Sequence, residues 1–319
     1  MEPLSSLKQS RKLQKNRIKQ KNAILYAIYF LIKRETRSAG WRMLNTIRVY
    51  FFMPQVLTKY RIRPRPVVWV DHELDRKVPF QPHHVSIYLS FTHLWIKSIA
   101  FLYREFGKEA LPHILGFIKK IASLYIESAK VYLQLQSTTN RPRYLGGFYF
   151  KVIHLFDPHL HCIPSLHVGI VGLTYSYISR CVHELAEEPE RYQAEMDYLW
   201  QQTVLITDSI LFIKQHSVNC VSAGLFTLTS NDFGFTEDQA YKVIDALFTG
   251  QGNTLEDAEE LRGYIRSLYT CFLEENKRKP SARVLVDFLK NYPDTSESLQ
   301  KKSGEARSAC SPELQDPAE

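Results

Sequence analysis

Apolar residues recur three to four positions apart along most of the chain, the spacing that places them on one face of an α-helix. Alternation of apolar and polar residues bounded by turns, the pattern of a half-buried β-strand, is almost absent. The pattern predicts an all-α protein. Its predicted helices, with breaks where Pro and Gly cluster, cover residues 8–34, 40–58, 84–105, 108–137, 145–155, 165–187, 190–229, 236–248, 254–276 and 280–291.

Changes of composition divide the chain into four predicted parts. Residues 1–65 form a basic helical segment, and 61–83 read as an extended connection because several prolines oppose a continuous helix. Residues 66–230 form the helical core. Residues 231–293 read as a small helical appendage whose helices start with acidic first turns. Residues 294–319 contain almost no large apolar side chain, which predicts a disordered tail.

The positive charge is concentrated at the start of the chain. Residues 1–65 contain 16 Lys and Arg but only Glu2 and Glu35, whereas the whole chain carries a formal charge of +8. The apolar run at 23–32, with charged residues on both sides, resembles a helix that lies in a membrane interface. The alternative is a solvated basic tail leading into a packed helix. We expect contact with a membrane through this segment and no specific nucleic acid.

The sequence does not distinguish an integral from a peripheral membrane protein. No window of 18 or more residues is both strongly apolar and free of charge, so a peripheral and an integral protein are both compatible with the pattern. If the chain is not inserted, we expect it in the cytoplasm. A signal peptide is not predicted because residues 8–21 are basic and polar, and five widely spaced cysteines favour free thiols over a disulfide framework.

A histidine-dense segment precedes the helix predicted at 165–187. His159, His161 and His167 could bind a metal, but their spacing across Pro164 matches no familiar site. A second interpretation makes Ser165 a helix cap and His167 a buried core histidine. A third makes the helix start an anion site, at which Ser165 donates a hydrogen bond and His167 donates a proton.

Two further segments contain cationic residues that could act on the same anion. Lys214 and His216 lie in an apolar run about fifty residues after the first segment, where such side chains are costly unless something requires them. Arg141 follows the long helix predicted at 108–137, and its guanidinium could hold phosphate oxygens in a bidentate manner.

In this order and spacing the three segments resemble the type 2 phosphatidic acid phosphatase (PAP2) superfamily, over roughly residues 71–227. Its motifs are Lys-x6-Arg-Pro, Pro-Ser-x-His and Ser-Arg-x5-His-x3-Asp. The likeness is closer to the branch with sphingolipid-type phosphotransferases, whose third motif contains Lys-Gln-His. The positions that fit are Arg141, Pro142, Pro164, Ser165, His167, Ser209, Lys214, Gln215, His216 and Gly224.

The resemblance implies a PAP2-like helical bundle and a metal-independent, cofactor-free phosphatase or phosphotransferase that acts on a lipid phosphate or another phosphomonoester. His216 would be the nucleophile that forms a phosphohistidine, and His167 the general acid. Arg141, Ser165 and Lys214 would stabilise the phosphoryl oxygens. An imidazole is chemically suited to both histidine roles near neutral pH.

Three positions depart from the family pattern. Gln134 replaces the first Lys, for which Lys130 could compensate one turn earlier. Ile210 replaces an Arg, as is ordinary in the Lys-Gln-His branch. Cys220 replaces the Asp that orients the nucleophile, and a thiol is a poor acceptor for an imidazole N–H. The competing hypothesis is therefore a catalytically degenerate relative that binds a phosphorylated head group or serves as a membrane-associated interaction protein.

Overall fold

The structure is a computed structural model that describes residues 16–142, 144, 146–250 and 254–293. It is predominantly helical, which confirms the predicted all-α class. The predicted tail at 294–319 and residues 8–15 of the helix predicted at 8–34 lie outside the described ranges. Residues 16–22 form a turn, contrary to that prediction, and the first helix begins at Ala23. The helices are α1 (Ala23–Ile32), α2 (Arg37–Ile47), α3 (Met53–Lys59), α4 (Val85–Phe106), α5 (Leu111–Tyr132), α6 (Phe148–Phe156), α7 (Leu166–Leu185), α8 (Gln193–Phe212), α9 (Val218–Thr229), α10 (Glu237–Ala246), α11 (Ala258–Asn276) and α12 (Ser281–Asn291).

Two short strands are present, one within the extended connection predicted at 61–83 and one at the end of the helix predicted at 108–137, where it replaces the predicted helix. Strand β1 (Val67–Trp69) pairs in parallel with β2 (Gln136–Thr138), with Val67 opposite Gln136. Helix α5 ends at Tyr132, so Arg141 lies in the loop after β2 and does not close a helix. Strands of three residues are too short to produce a readable alternation, and the side chains of β2 are buried although polar.

The prediction of a single helix at 190–229 is wrong, because residues 213–217 form a loop that separates α8 from α9. Lys214 adopts a left-handed conformation with φ 55°, which is unusual for a residue with a Cβ. The amides of Gln215 and His216 both donate to the carbonyl of Ile210, at 3.1 and 3.2 Å. Ser217 then caps α9 by accepting from the amide of Asn219. This loop places His216 at the end of one helix and the start of the next.

Helices α4, α5, α7, α8 and α9 pack around one another, and α11 packs on α9. The helices predicted as an appendage contribute to the same hydrophobic core as the bundle. Polar contacts also join them: the side chain of Asn219 accepts from the Tyr264 hydroxyl at 2.7 Å and donates to the Tyr292 hydroxyl at 2.8 Å. Helices α11 and α12 therefore support α9 directly.

Helices α7 and α9 approach each other closely at Gly224. A Cβ at this position would lie 2.9 Å from Cβ of Val168 and 3.0 Å from the carbonyl oxygen of Ser165. Contacts this short are far below ordinary van der Waals separation. Since Ser165 and Val168 flank His167 on α7, the absence of a side chain at Gly224 fixes how near the two histidine-bearing segments can come.

The segment Pro82–Phe106 is long and apolar enough to cross a membrane by length and composition. Half of its most apolar window is buried inside the protein, where α4 packs on α1, α7 and α8. The core helix of a globular protein has the same character. Among the described residues, hydropathy thus identifies one helix that could cross a membrane, but it does not distinguish a membrane-spanning helix from a buried core helix.

Candidate functional site

His167 and His216 lie side by side, as the sequence predicted. Their ring centroids are 5.4 Å apart, with the ring planes inclined by 67°. His167 is in the first turn of α7, where Tyr88 stacks on it at 4.2 Å and Phe91 meets it edge to face at 4.4 Å. His216 is held by the break between α8 and α9. Two imidazoles from segments fifty residues apart therefore converge on one point.

Ser165 occupies the N-cap position of α7 but does not cap the helix with its side chain. The residue is 1% exposed, and within the described part of the chain its hydroxyl has no hydrogen-bond partner. A buried hydroxyl without a partner costs about 1–3 kcal/mol. The unused amides at the start of α7 and this free hydroxyl together form a site suited to an anion.

Both histidines are buried in their neutral forms. Burial lowers the pKa of His167 well below its ordinary value, and the neighbouring His216 lowers it further. Burial lowers the pKa of His216 to about 4. Nδ1 of His216 is buried without a hydrogen-bond partner among the described residues. A neutral imidazole retains the lone pair that a nucleophile or base requires.

Arg141 and Lys214 lie with His216 around a polar cavity of about 500 Å³. The Arg141 guanidinium donates to Oε1 of Gln215 at 3.1 Å and to the carbonyl of Asp157 at 3.3 Å, so it is fixed beside the histidine loop. The Lys214 ammonium donates to the backbone carbonyls of Asp75 and Val78. Arg141 therefore presents charge to the cavity, whereas Lys214 mainly fastens the loop that forms its wall.

Lys130 does not belong to this site, contrary to the prediction that it replaces the missing lysine at Gln134. Its ammonium pairs with Glu127 at 2.6 Å on the exposed side of α5, three residues away along the helix. Gln134 donates to the carbonyl of Lys130. Lys130 lies in the last turn of α5 and Gln134 in the turn that follows the helix. Lys130 lines a separate surface depression and neither of the cavities beside the histidines.

Cys220 is buried in the first turn of α9, four residues after His216. Its sulfur accepts a hydrogen bond from the amide of Ser217 at 3.4 Å and so completes a cap of the helix. Burial raises the pKa of the thiol, which keeps it protonated. The side chain at this position therefore supplies no negative charge to His216.

The polar cavity contains two carboxylates, Asp71 and Asp75, that were not among the predicted site residues. Asp71 accepts from the amide of Asn140 at 2.9 Å, and burial raises its pKa to about 6. Asp75 accepts from the amide of Val218 at 2.9 Å, at the start of α9. Asp71 precedes the 3-10 turn at Glu73–Lys77 and Asp75 lies within it, and no helical or strand periodicity marks either residue as buried. Both carboxylates lie near the Lys214 ammonium. Burial lowers the pKa of Lys214, and the negative charges of Asp75 and Asp71 oppose that effect.

His159 and His161 have surroundings of their own. The ring of His159 lies 6.4 Å from that of His216 and its Nε2 is 2.8 Å from the Thr139 hydroxyl. His161 stacks on Tyr132 with ring centroids 4.0 Å apart. No group of three or more potential ligands arranged to hold a metal is found in the described ranges. These histidines line the site and pack its walls.

An apolar cavity of about 370 Å³ meets the polar one at His216, which lines both. His167 lies at the same end. The remainder of the wall is mainly aliphatic and aromatic, although Thr92, Asp157 and Cys162 also line it. It is contributed by α2, the π-helical turn at Arg48–Phe52, helices α4 to α7 and residues 157–162. The site is thus a junction between a compartment suited to charge and one suited to hydrocarbon.

Acid should destabilise the fold through His216. The pKa of His216 is about 4 in the folded protein and near 6.5 in the unfolded chain. Below about pH 6.5 the unfolded state therefore binds more protons than the folded state, and stability decreases as the pH is lowered. Between pH 7 and pH 5 this histidine should lower the free energy of unfolding by roughly 2 kcal/mol. Denaturant titrations of wild type and His216→Asn at both pH values measure it. An unchanged pH dependence in the variant would contradict the assigned burial.

The chain matches no protein-family model, no curated protein and no solved structure. The likeness to the PAP2 superfamily therefore depends on the three motifs, and the function on the geometry of the residues that those motifs bring together.

Proposed function

We propose that this protein is a metal-independent, PAP2-type phosphatase or phosphotransferase that acts on a lipid phosphate at a membrane. The observation that carries the proposal is the pair His167 and His216, with ring centroids 5.4 Å apart: both line the apolar cavity, and His216 also lines the polar one. A lipid phosphate has the same two-part character, with a charged head and a hydrocarbon chain. Its phosphate would lie in the polar cavity and its chain in the apolar one.

The reaction begins with neutral His216. A ring nitrogen attacks phosphorus, a P–N bond forms, and the P–O bond to the leaving group breaks. His167 donates a proton to the leaving oxygen. The bound phosphate raises the pKa of His167, because a nearby anion favours the imidazolium form. Water, or an acceptor hydroxyl in a phosphotransferase, then attacks phosphorus; a P–O bond forms, the P–N bond breaks, and His167, now neutral, accepts the proton of the attacking group, which regenerates neutral His216.

Charge on the phosphoryl oxygens is stabilised by groups already in place. The guanidinium of Arg141 lies on the cavity wall, and among the described residues the Ser165 hydroxyl has no hydrogen-bond partner. The first amides of α7 have no intrahelical acceptor, as at the start of any α-helix. Preorganised donors of this kind act on developing charge without reorganisation. Lys214 contributes chiefly by holding the loop against Asp75 and Val78.

The test is phosphate release from phosphatidic acid and from water-soluble phosphomonoesters by the purified full-length chain, with and without a chelator. Release that persists with chelator, prefers the lipid and passes through an acid-labile phosphoprotein would support the proposal. Release equal to that of His216→Ala on every substrate would overturn it.

A second candidate is phosphate-head-group binding without turnover. It is favoured by the unpartnered Nδ1 of His216 and by the engagement of Cys220 with the Ser217 amide, which leaves the nucleophile without an orienting carboxylate. In a serine-protease triad, loss of the orienting charge costs about 10⁴-fold in rate. Saturable binding of phosphate or a short-chain lipid phosphate, with no release, would identify this candidate.

Restoring a carboxylate at position 220 should increase activity. In Cys220→Asp, the new side chain stands at the start of α9, where negative charge is favoured. We expect it to accept from Nδ1 of His216, four residues earlier, which has no partner among the described residues. We expect a rate increase of at least about tenfold, well below the full 10⁴-fold effect of such a group. Steady-state phosphate release measures it.

Cys220→Asn is the matched control, because it has the shape of Asp without its charge, and it should stay near the wild-type rate. An equal increase in both variants would mean that size, not charge, limits the site. No increase in Cys220→Asp, with an unchanged thermal unfolding midpoint, would contradict the orienting role of this position.

A further inference from the structure

Helix α1 exposes an apolar face that no other element of the described structure covers. Ile24, Leu25, Ile28 and Ile32 are 67, 61, 54 and 68% exposed. They recur at helical spacing on one side, while Ala23 and Phe30 are buried on the other side against the bundle. Four large aliphatic side chains in water on ten residues are far more than solubility or packing requires.

This face continues onto the elements around the apolar cavity. Helix α1 packs on α2, on which Trp41 is 60% exposed. Leu44 and Phe52 line the cavity and are themselves 37 and 43% exposed, so its mouth opens at the surface of α2 and the π-helical turn. Helix α6 lines the same cavity with Val152 and Ile153. Its outer side carries further exposed apolar residues: Phe148, Tyr149 and Leu155.

The charge around this surface has one sign. Residues 16–65 contain 12 Lys and Arg and a single acidic residue, Glu35. Arg34, Arg37, Arg42 and Arg48 are exposed on or next to the same helices. Apolar side chains among cationic ones match the two layers of an anionic bilayer, with hydrocarbon below and negative head groups above.

We propose that α1, the exposed sides of α2 and α6, and the π-helical turn form a surface that docks on an anionic lipid bilayer. Helix α1 has ten residues and is about 15 Å long, half the thickness of the hydrocarbon layer, so it lies in the plane of the interface and does not span it. In this orientation the mouth of the apolar cavity faces the lipid, and a hydrocarbon chain reaches His216 without crossing water.

Vesicle sedimentation with the full-length chain tests the surface. Wild type should bind vesicles of phosphatidylcholine with phosphatidylglycerol and bind phosphatidylcholine alone weakly, with affinity falling as salt rises. Ile24→Asp/Ile28→Asp should weaken binding to the anionic vesicles by at least about tenfold, because two apolar anchors are lost. Trp41 fluorescence should shift to the blue on binding, and Trp41→Ala should lose that shift.

Two double charge reversals distinguish the effect of net charge from the effect of charge at the proposed surface. Arg37→Glu/Arg42→Glu and Arg278→Glu/Lys290→Glu change the net charge equally, but the second pair lies on or next to α11 and α12. Only the first should reduce binding strongly. Equal losses in both, or wild-type binding by Ile24→Asp/Ile28→Asp, would overturn the proposal.

Two further outcomes are decisive. A dimer in vesicle-free buffer that Ile24→Asp/Ile28→Asp dissociates would show that a second copy covers this surface and would overturn lipid docking. His216→Ala should bind vesicles like wild type, so absence of phosphatase activity leaves the docking test intact. Apart from the buried His216, all substituted side chains are exposed, and equal thermal midpoints confirm that each variant is folded.

Discussion

His216→Ala should reduce phosphate release from a lipid phosphate by at least about 10³-fold, since removal of a covalent nucleophile leaves only binding and charge stabilisation. The variant should also form no phosphoprotein. The side chain is 8% exposed and its Nδ1 has no partner in the described structure, so its removal breaks no hydrogen bond of that atom. Rapid quench with labelled substrate, followed by acid and base treatment of the protein, measures the intermediate.

His159→Ala provides the matched control for this result. Its ring is 6.4 Å from that of His216 and it is equally buried, but its Nε2 is engaged with the Thr139 hydroxyl. The variant should still form the phosphoprotein. If His159→Ala abolished the intermediate and His216→Ala retained it, the nucleophile would be assigned to the wrong imidazole.

Gly224→Ala should destabilise the fold by about 1–3 kcal/mol, the usual cost of forcing a methyl group into a packed interface. The added Cβ would meet Val168 and the carbonyl of Ser165 at about 3 Å, and backbone atoms cannot move aside like the end of a side chain. Helices α7 and α9 must separate, which also moves His167 away from His216. Denaturant unfolding measures the loss, and activity should fall with it.

Gly263 is the control for helix propensity. It also lies inside a helix, α11, but a Cβ there would meet nothing within 4 Å. Gly263→Ala should stabilise the protein by up to about 1 kcal/mol, because alanine favours helix. Stabilisation by both substitutions would show that α7 and α9 can separate without cost, contrary to the packing described.

The sequence predicted the helices and the pairing of His167 with His216, because both follow from periodicity and from motifs with fixed spacing. It could not predict the break at Lys214, since the left-handed residue there is neither Gly nor Asn and the apolar run continues on both sides. The prediction that Lys130 belongs to the histidine site was wrong for a related reason. Helical spacing identifies residues that share a face, but it does not reveal which element that face meets.

The carboxylates of the polar cavity were also beyond the sequence. Asp71 and Asp75 come from a connection without regular pattern, and their burial depends on contacts with Asn140 and Val218, about 70 and 140 positions away. The family motif predicts an acid at position 220. The structure instead surrounds the histidine loop with acids from another part of the chain, although neither of them bonds to Nδ1 of His216.

Asn219, beside the histidine loop, joins parts of the chain that are synthesised at very different times. Its amide donates to the carbonyl of Val70 and to the hydroxyl of Tyr292, and Tyr292 donates in turn to the carbonyl of Asp71. These hydrogen bonds beside the histidine loop can form only after residue 292 has left the ribosome. We therefore expect a nascent chain that has already formed its histidine-bearing helices to lack this support until the end of its synthesis.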